Sequence, residues 1–149
     1  MKKGWLSILI VFVAVNFSFA AEKGTAPEAK ALVGKAAAYV KAVGKDKAMA
    51  EFNNPKGKFI NKDLYIFVVD FKGITLANGG NAKLAGRDMS GLQDANGKFF
   101  IKEMITLAKA KGSGWIDYKW TNAVTKKVEP KSSYVQRVDD YFIGCGIYK

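Results

Sequence analysis

The run Leu64-Tyr65-Ile66-Phe67-Val68-Val69-Asp70-Phe71-Lys72-Gly73-Ile74-Thr75-Leu76-Ala77 decides the fold class. Its first six side chains are aromatic, β-branched or leucine, the types that suit a pleated, half-buried surface. Asp70 to Gly73 reads as a tight turn, because Gly73 can take a positive φ without a Cβ clash. Ile74 to Ala77 then returns as the partner strand. Two strands joined by so short a turn form an antiparallel hairpin.

Upstream of the hairpin the period changes. Ala29, Leu32, Val33, Ala36, Tyr39, Val40 and Val43 recur at helical spacing, with Lys30, Lys35 and Lys41 on other faces. Pro27 suits the first helical turn, with Thr25 or Ala26 near the cap, and Gly44 ends the helix. Asp46 is placed to cap a second short helix over 47–52, which Asn53-Asn54-Pro55 stops.

Downstream, Asn78-Gly79-Gly80-Asn81 opens a glycine-bearing loop that runs to Gly97, long enough to suggest a function of its own. Asn96-Gly97 stands as a cap before a helix over 98–111. That helix has Phe100, Ile101, Met104, Ile105 and Ala108 on one face, and Gly112 closes it. Strands are expected over 114–120, 131–138 and 141–148, with a polar loop over 122–129 and a turn at Asp139-Asp140. The order is helix, two strands, helix, three strands. The fold class is α+β, with a long N-terminal helix packed on a five-stranded antiparallel sheet.

The first 20 residues have the plan of a secretory signal peptide. Lys2-Lys3 precede an apolar run from Trp5 to Val15, and Ser18-Phe19-Ala20 offers small residues at the cleavage positions. Cleavage is expected after Ala20, with Ala21 as the other position and an uncleaved anchor as the alternative. That gives residues 1–20 as leader and 21–149 as one domain in the periplasm, with no further transmembrane segment. Without Lys2 and Lys3 there remain 22 basic residues against 13 acidic ones. The lysines are scattered, and Arg87 and Arg137 are the only arginines, so nucleic acid is a poor partner for this surface. In an exported chain the excess fits an anionic ligand, an envelope surface or an acidic partner.

There is no histidine, which removes the commonest general base and the usual zinc or haem ligand. The single Cys145 lies in an apolar strand between Gly144 and Gly146, as a small buried hydrophobe. The aspartates lack the spacing of a calcium loop, and no glycine run leads from a strand into a helix as nucleotide sites require. No metal, no cofactor and no enzymatic activity are expected.

Four segments resemble single Cache domains, the PAS-like sensor modules of bacterial receptors. They are the loop and helix start from Leu84 to Glu103, the strand from Gly114 to Trp120, Pro130-Lys131-Ser132-Ser133-Tyr134-Val135, and Ile143 to Tyr148. The resemblance extends over residues 27–149. The resemblance implies a periplasmic sensing domain acting in signal transduction, with a pocket on one face of the sheet for small molecules, often short-chain carboxylates. In such receptors a second transmembrane helix follows the domain, whereas this chain stops at Lys149. It is therefore expected to act as a free binding protein, or to hand its state to a separate membrane receptor or other envelope protein. The alternative is a ligand-free interaction module that docks an acidic envelope partner.

A carboxylate in a partly dry pocket needs a cation or several donors. Lys131 is the first candidate, since it starts a strand after Pro130 in the segment that resembles the family's ligand-contacting strand. Tyr118 and Trp120 are two apart on a strand and share a face, one offering a hydroxyl and the other an indole N–H. Tyr134 stands three after Lys131 and contributes only if the strand carries a bulge or the pocket wraps over the sheet edge. Arg87 can hold a carboxylate bidentately, or can fix its loop by pairing with Asp88 or Asp94. Lys98 and Phe100 open the central helix, whose N-terminal amides favour a nearby anion.

Overall fold

The first helix, α1 (Ala26–Val43), begins with a reciprocal cap. The Thr25 hydroxyl accepts the Glu28 amide, and the Glu28 carboxylate accepts the Thr25 amide at 2.8 Å. Its buried stripe comprises Ala29, Leu32, Val33, Ala36, Ala37 and Val40. Gly44 ends it, and α2 (Lys45–Phe52) starts from that same residue with no side-chain cap. Asp46 therefore does not cap; it lies in the first turn, where a carboxylate favours the helix dipole. The computed structural model describes residues 22–149, so the expected leader lies outside the described residues.

The strand expected over 64–69 divides at Ile66. Two-residue strands β1 (Ile60–Asn61) and β2 (Leu64–Tyr65) form a small ribbon, and β3 (Phe67–Asp70) enters the main sheet. The Ile66 carbonyl accepts the Gly79 amide instead of joining either ladder. Gly73 takes φ +93° in the turn, and β4 (Thr75–Asn78) follows one residue later than expected, leaving Ile74 in a single bridge to Asp88. The loop to Gly97 contains a 3₁₀ turn (Ala82–Leu84) and runs back along β4. Gly86 donates to the Thr75 carbonyl and Met89 to the Gly73 carbonyl, which pins the loop over the sheet.

Helix α3 (Phe100–Lys111) leads into β5 (Ser113–Thr121), β6 (Val128–Val138) and β7 (Tyr141–Tyr148). Phe99 precedes α3 without a side-chain cap, so Asn96-Gly97 is not the cap. Asp94 organises that turn, accepting the Asn96 and Lys98 amides on one oxygen and the Lys119 amide of β5 on the other. The sheet is antiparallel throughout, in the order β4-β3-β7-β6-β5. Helices α1 and α2 cover one face, where Val33, Phe52, Ile66, Ile143 and Cys145 form a core. Helix α3 and the loop cover the other, around Phe67, Phe100, Met104, Tyr118 and Phe142. Alternation along each strand thus feeds two cores from a single sheet.

Candidate ligand-binding site

The cavity lies on the α3 face, and cross-strand register builds it. Lys131 on β6 is directly opposite Tyr118 on β5 and Tyr148 on β7. Directly opposed residues of antiparallel strands share a face, so three polar tips converge there. Two glycines of β7 make room for this cluster. A methyl group on Gly146 would overlap the Lys131 stem and the Ser133 hydroxyl, and one on Gly144 would overlap the Phe67 ring.

Lys131 is 1 % exposed. Its Nζ donates to the Tyr65 hydroxyl at 2.9 Å and lies 4.4 Å from the Tyr65 ring centre, 5.0 Å from that of Tyr148 and 5.6 Å from that of Phe67. Rings at such distances attract a desolvated cation by about 2 kcal/mol. Burial is the largest influence on this ammonium and works against its charge, but the Tyr65 hydrogen bond and the faces of the surrounding aromatic rings favour the charged form, and the group is held above the ordinary lysine range. Burial in turn pushes the Tyr118 and Tyr148 hydroxyls upward, so both stay neutral at physiological pH. An ammonium has three N–H donors. Tyr65 accepts one of them at 2.9 Å, Tyr118 also hydrogen-bonds the ammonium, and no ion pair of the described residues includes Lys131. The site therefore holds a buried positive charge that lacks an anion.

Tyr118 is held from two sides. Its hydroxyl shares a 2.9 Å hydrogen bond with Ser133, and its ring stacks on Phe100 at 4.6 Å and 9°. Phe100 also meets Trp120 at 5.5 Å, so the first residue of α3 plugs the space between the two β5 aromatics. The cavity measures about 30 Å³ and is bordered by Lys131, Tyr118, Trp120 and Phe100 together with Tyr65 and Asn78. That is room for roughly two water-sized groups, about the footprint of one carboxylate. A wider cleft of about 480 Å³ adjoins it and shares Tyr65, Asn78 and Trp120 as walls.

The other two candidates are placed elsewhere. Tyr134 faces α1, with its ring 5.5 Å from Trp115 and the Lys30 ammonium 5.5 Å above it. The β6–β7 register runs without a shift from Lys131 to Val138, so there is no bulge to turn Tyr134 towards the cavity. Arg87 is an exposed loop residue whose Nε donates to the Lys83 carbonyl. It pairs with neither acid considered for it: Asp88 accepts the Ser90 amide, and Asp94 is occupied as described above. Lys98 bonds the Asp117 carbonyl and the Glu103 carboxylate, anchoring α3 to β5.

Tyr65 and Asn78 border the cavity although the sequence did not single them out. Tyr65 carries the one hydroxyl in the apolar run 64–69, and that polar tip was its only local signal. Asn78 is the polar residue at the end of β4, where the glycine pair begins. Asn78 accepts the Gly80 and Asn81 amides on its side-chain oxygen, which leaves the amide donors as its free end.

The profile of the family described as Single Cache domain 2 matches residues 10–149. Among curated relatives, the chain is 34 % identical over 89 residues to the sensor histidine kinase MctS of Rhizobium johnstonii, covering 58 % of this chain and 19 % of the kinase. It is 28 % identical over 88 residues to the methyl-accepting chemotaxis protein McpP of Pseudomonas putida, covering 58 % and 16 %. It thus spans less than a fifth of the length of either relative. A methyl-accepting chemotaxis protein from Vibrio parahaemolyticus has the same fold, with a TM-score of 0.72, 23 % identity and coverage of 82 % and 86 %. A Cache chemosensory domain solved for its carboxylic acid recognition superimposes with a TM-score of 0.70 at 25 % identity, covering 82 % and 91 %. Cache domains are typically extracytoplasmic and generally non-enzymatic sensor modules. Among the described residues no helix is long and apolar enough to cross a membrane. A long N-terminal helix on a five-stranded antiparallel sheet, and a match over nearly the whole sequence, lead to one conclusion: the chain belongs to the single Cache domain 2 family, homologous to the sensor domains of chemoreceptors and histidine kinases.

Proposed function

We propose that this domain senses a small carboxylate in the periplasm, with Lys131 as the cationic anchor and Tyr118, Trp120 and Phe100 as walls. The observation that carries this reading is the buried Lys131 ammonium, which borders a cavity lined by no acidic residue. A carboxylate would supply the missing charge and accept from the ammonium, in a space about its own size. The Cache chemosensory domain solved for carboxylic acid recognition supports the same ligand class. The bound state would be read by a signalling protein of the receptor or kinase kind to which the relatives belong.

Calorimetric titration with acetate, propionate and pyruvate tests this. A hydrogen bond to a charged group is worth about 1.5–3 kcal/mol, so Lys131→Met should weaken the best acid roughly ten- to hundred-fold. Equal affinity in a folded mutant would show that the anchor lies elsewhere. A flat titration of the wild type would favour the interaction-module alternative.

A further inference from the structure

The cavity accommodates little more than a carboxylate group, and Tyr65, Asn78 and Trp120 line both it and the wider cleft, which gives the remainder of a bound acid a path into that cleft. The cleft of about 480 Å³ is lined in part by Thr121, Ala123 and Lys126. Neither the cavity nor the cleft has an aspartate or glutamate in its lining. Strand β5 runs from the one to the other: Tyr118 lies opposite Lys131, Trp120 is roughly 7 Å further along at about 3.4 Å per residue, and the strand then enters the loop that carries Lys126.

The loop backbone at Lys126 is held in place. The buried Asn122 accepts the Val124 and Thr125 amides on its side chain and the Lys126 amide on its carbonyl. Lys126 itself takes φ +62°, a left-handed conformation that glycine or asparagine adopts more easily. Its ammonium makes no ion pair among the described residues. A strained lysine lining an acid-free cleft is a second cation beside the same ligand path. Asn78, whose amide donors are free, lines both the cavity and the cleft.

We infer that the site is built in two stations, an inner carboxylate seat at Lys131 and an outer anion seat at Lys126, and that its preferred ligand class is an α,ω-dicarboxylate. This rests on the carboxylate reading of Lys131. Lys126 is exposed, so its pairing is partly screened and weaker than the inner one.

The test is calorimetric titration of the folded domain, checked by circular dichroism, with dicarboxylates from succinate to suberate against the monocarboxylates from butyrate to octanoate. The best diacid is expected to bind more tightly than the monoacid of equal length. Lys126→Met is expected to weaken that diacid about threefold to tenfold while leaving the monoacid within twofold. A wild type that favours the monoacid, a loss below threefold for the diacid, or an equal loss for both acids overturns the outer seat. Lys131→Met separates the two ideas. If it removes binding of both acids while Lys126→Met changes neither, the outer seat alone falls; if it leaves monoacid affinity unchanged, the carboxylate reading falls with it.

Discussion

Lys131 acts on binding and on stability in the same direction. Burial works against its charge, but its surroundings hold the ammonium above the ordinary lysine range, so the folded state favours the charged form. A group whose pKa is raised on folding contributes stability at every pH below its ordinary value, which for a lysine includes pH 7. Without ligand, Lys131→Met should therefore lower the melting temperature at pH 7 by a few degrees, although the stem still fills the space beside Gly146. Added carboxylate should raise the melting temperature of the wild type and leave the mutant unmoved. Differential scanning calorimetry reads both, and a higher ligand-free melting temperature in the mutant would mean that burying the charge costs more than the tyrosine cage returns. Cys145 is a contrasting case on the other face of the sheet. It is fully buried against α1, and burial pushes its thiol up to about 12, so it packs as a small apolar residue.

At the level of elements, β7 is shaped by what it omits. Its glycines at 144 and 146 leave the space that Phe67 and the Lys131 stem occupy. Gly146→Ala should destabilise the fold by about 1–3 kcal/mol through overpacking and should also abolish carboxylate binding. Denaturant titration beside calorimetry checks this, and unchanged binding would show that the lysine has another place to lie. The start of α1 is tied down electrostatically. Hydrogen bonds from Lys62, then from Thr25, hold the Glu28 carboxyl well below its ordinary value of 4.5, at about 2. A depressed carboxyl pKa stabilises the fold fully above the ordinary value, and that contribution is lost as pH falls towards the folded one. Glu28→Gln should therefore lower the melting temperature at pH 7, and the difference should shrink between about pH 4.5 and pH 2. A gap that stays constant with pH would remove the Lys62 contact from the account.

In the whole molecule one sheet serves two cores, so neither helical layer has a core independent of it. Ile143 and Cys145 point to α1 and α2, while Phe142 points to α3 and the cavity. Domains of this size with shared cores usually unfold in a single step. Trp115 reports the α1 side through Tyr134, and Trp120 reports the cavity through Phe100. Trp115→Phe and Trp120→Phe should then give coincident fluorescence and circular-dichroism transitions. Separated transitions would mean that the α3 layer opens on its own, a useful property in a sensor.

The features legible in the sequence were local ones. The period of Ala29 to Val43 marks α1, the Asp70–Gly73 turn marks the hairpin, and alternation puts Tyr118 with Trp120 and sets Tyr134 apart from Lys131. Each depends on neighbours within a few residues, where side-chain direction follows from backbone geometry. The division of the 64–69 run was hidden, because Ile66 bonds Gly79 across a connection that no local pattern specifies. The site itself depends on register. Lys131 meets Tyr65 from 66 residues away, in a space that exists only because Gly146 lies opposite Ser133 on the next strand. Composition and period determined which elements form and which faces they bury. Only the tertiary structure decided which charge is left without a partner, because whether an ammonium is paired depends on what the fold packs around it.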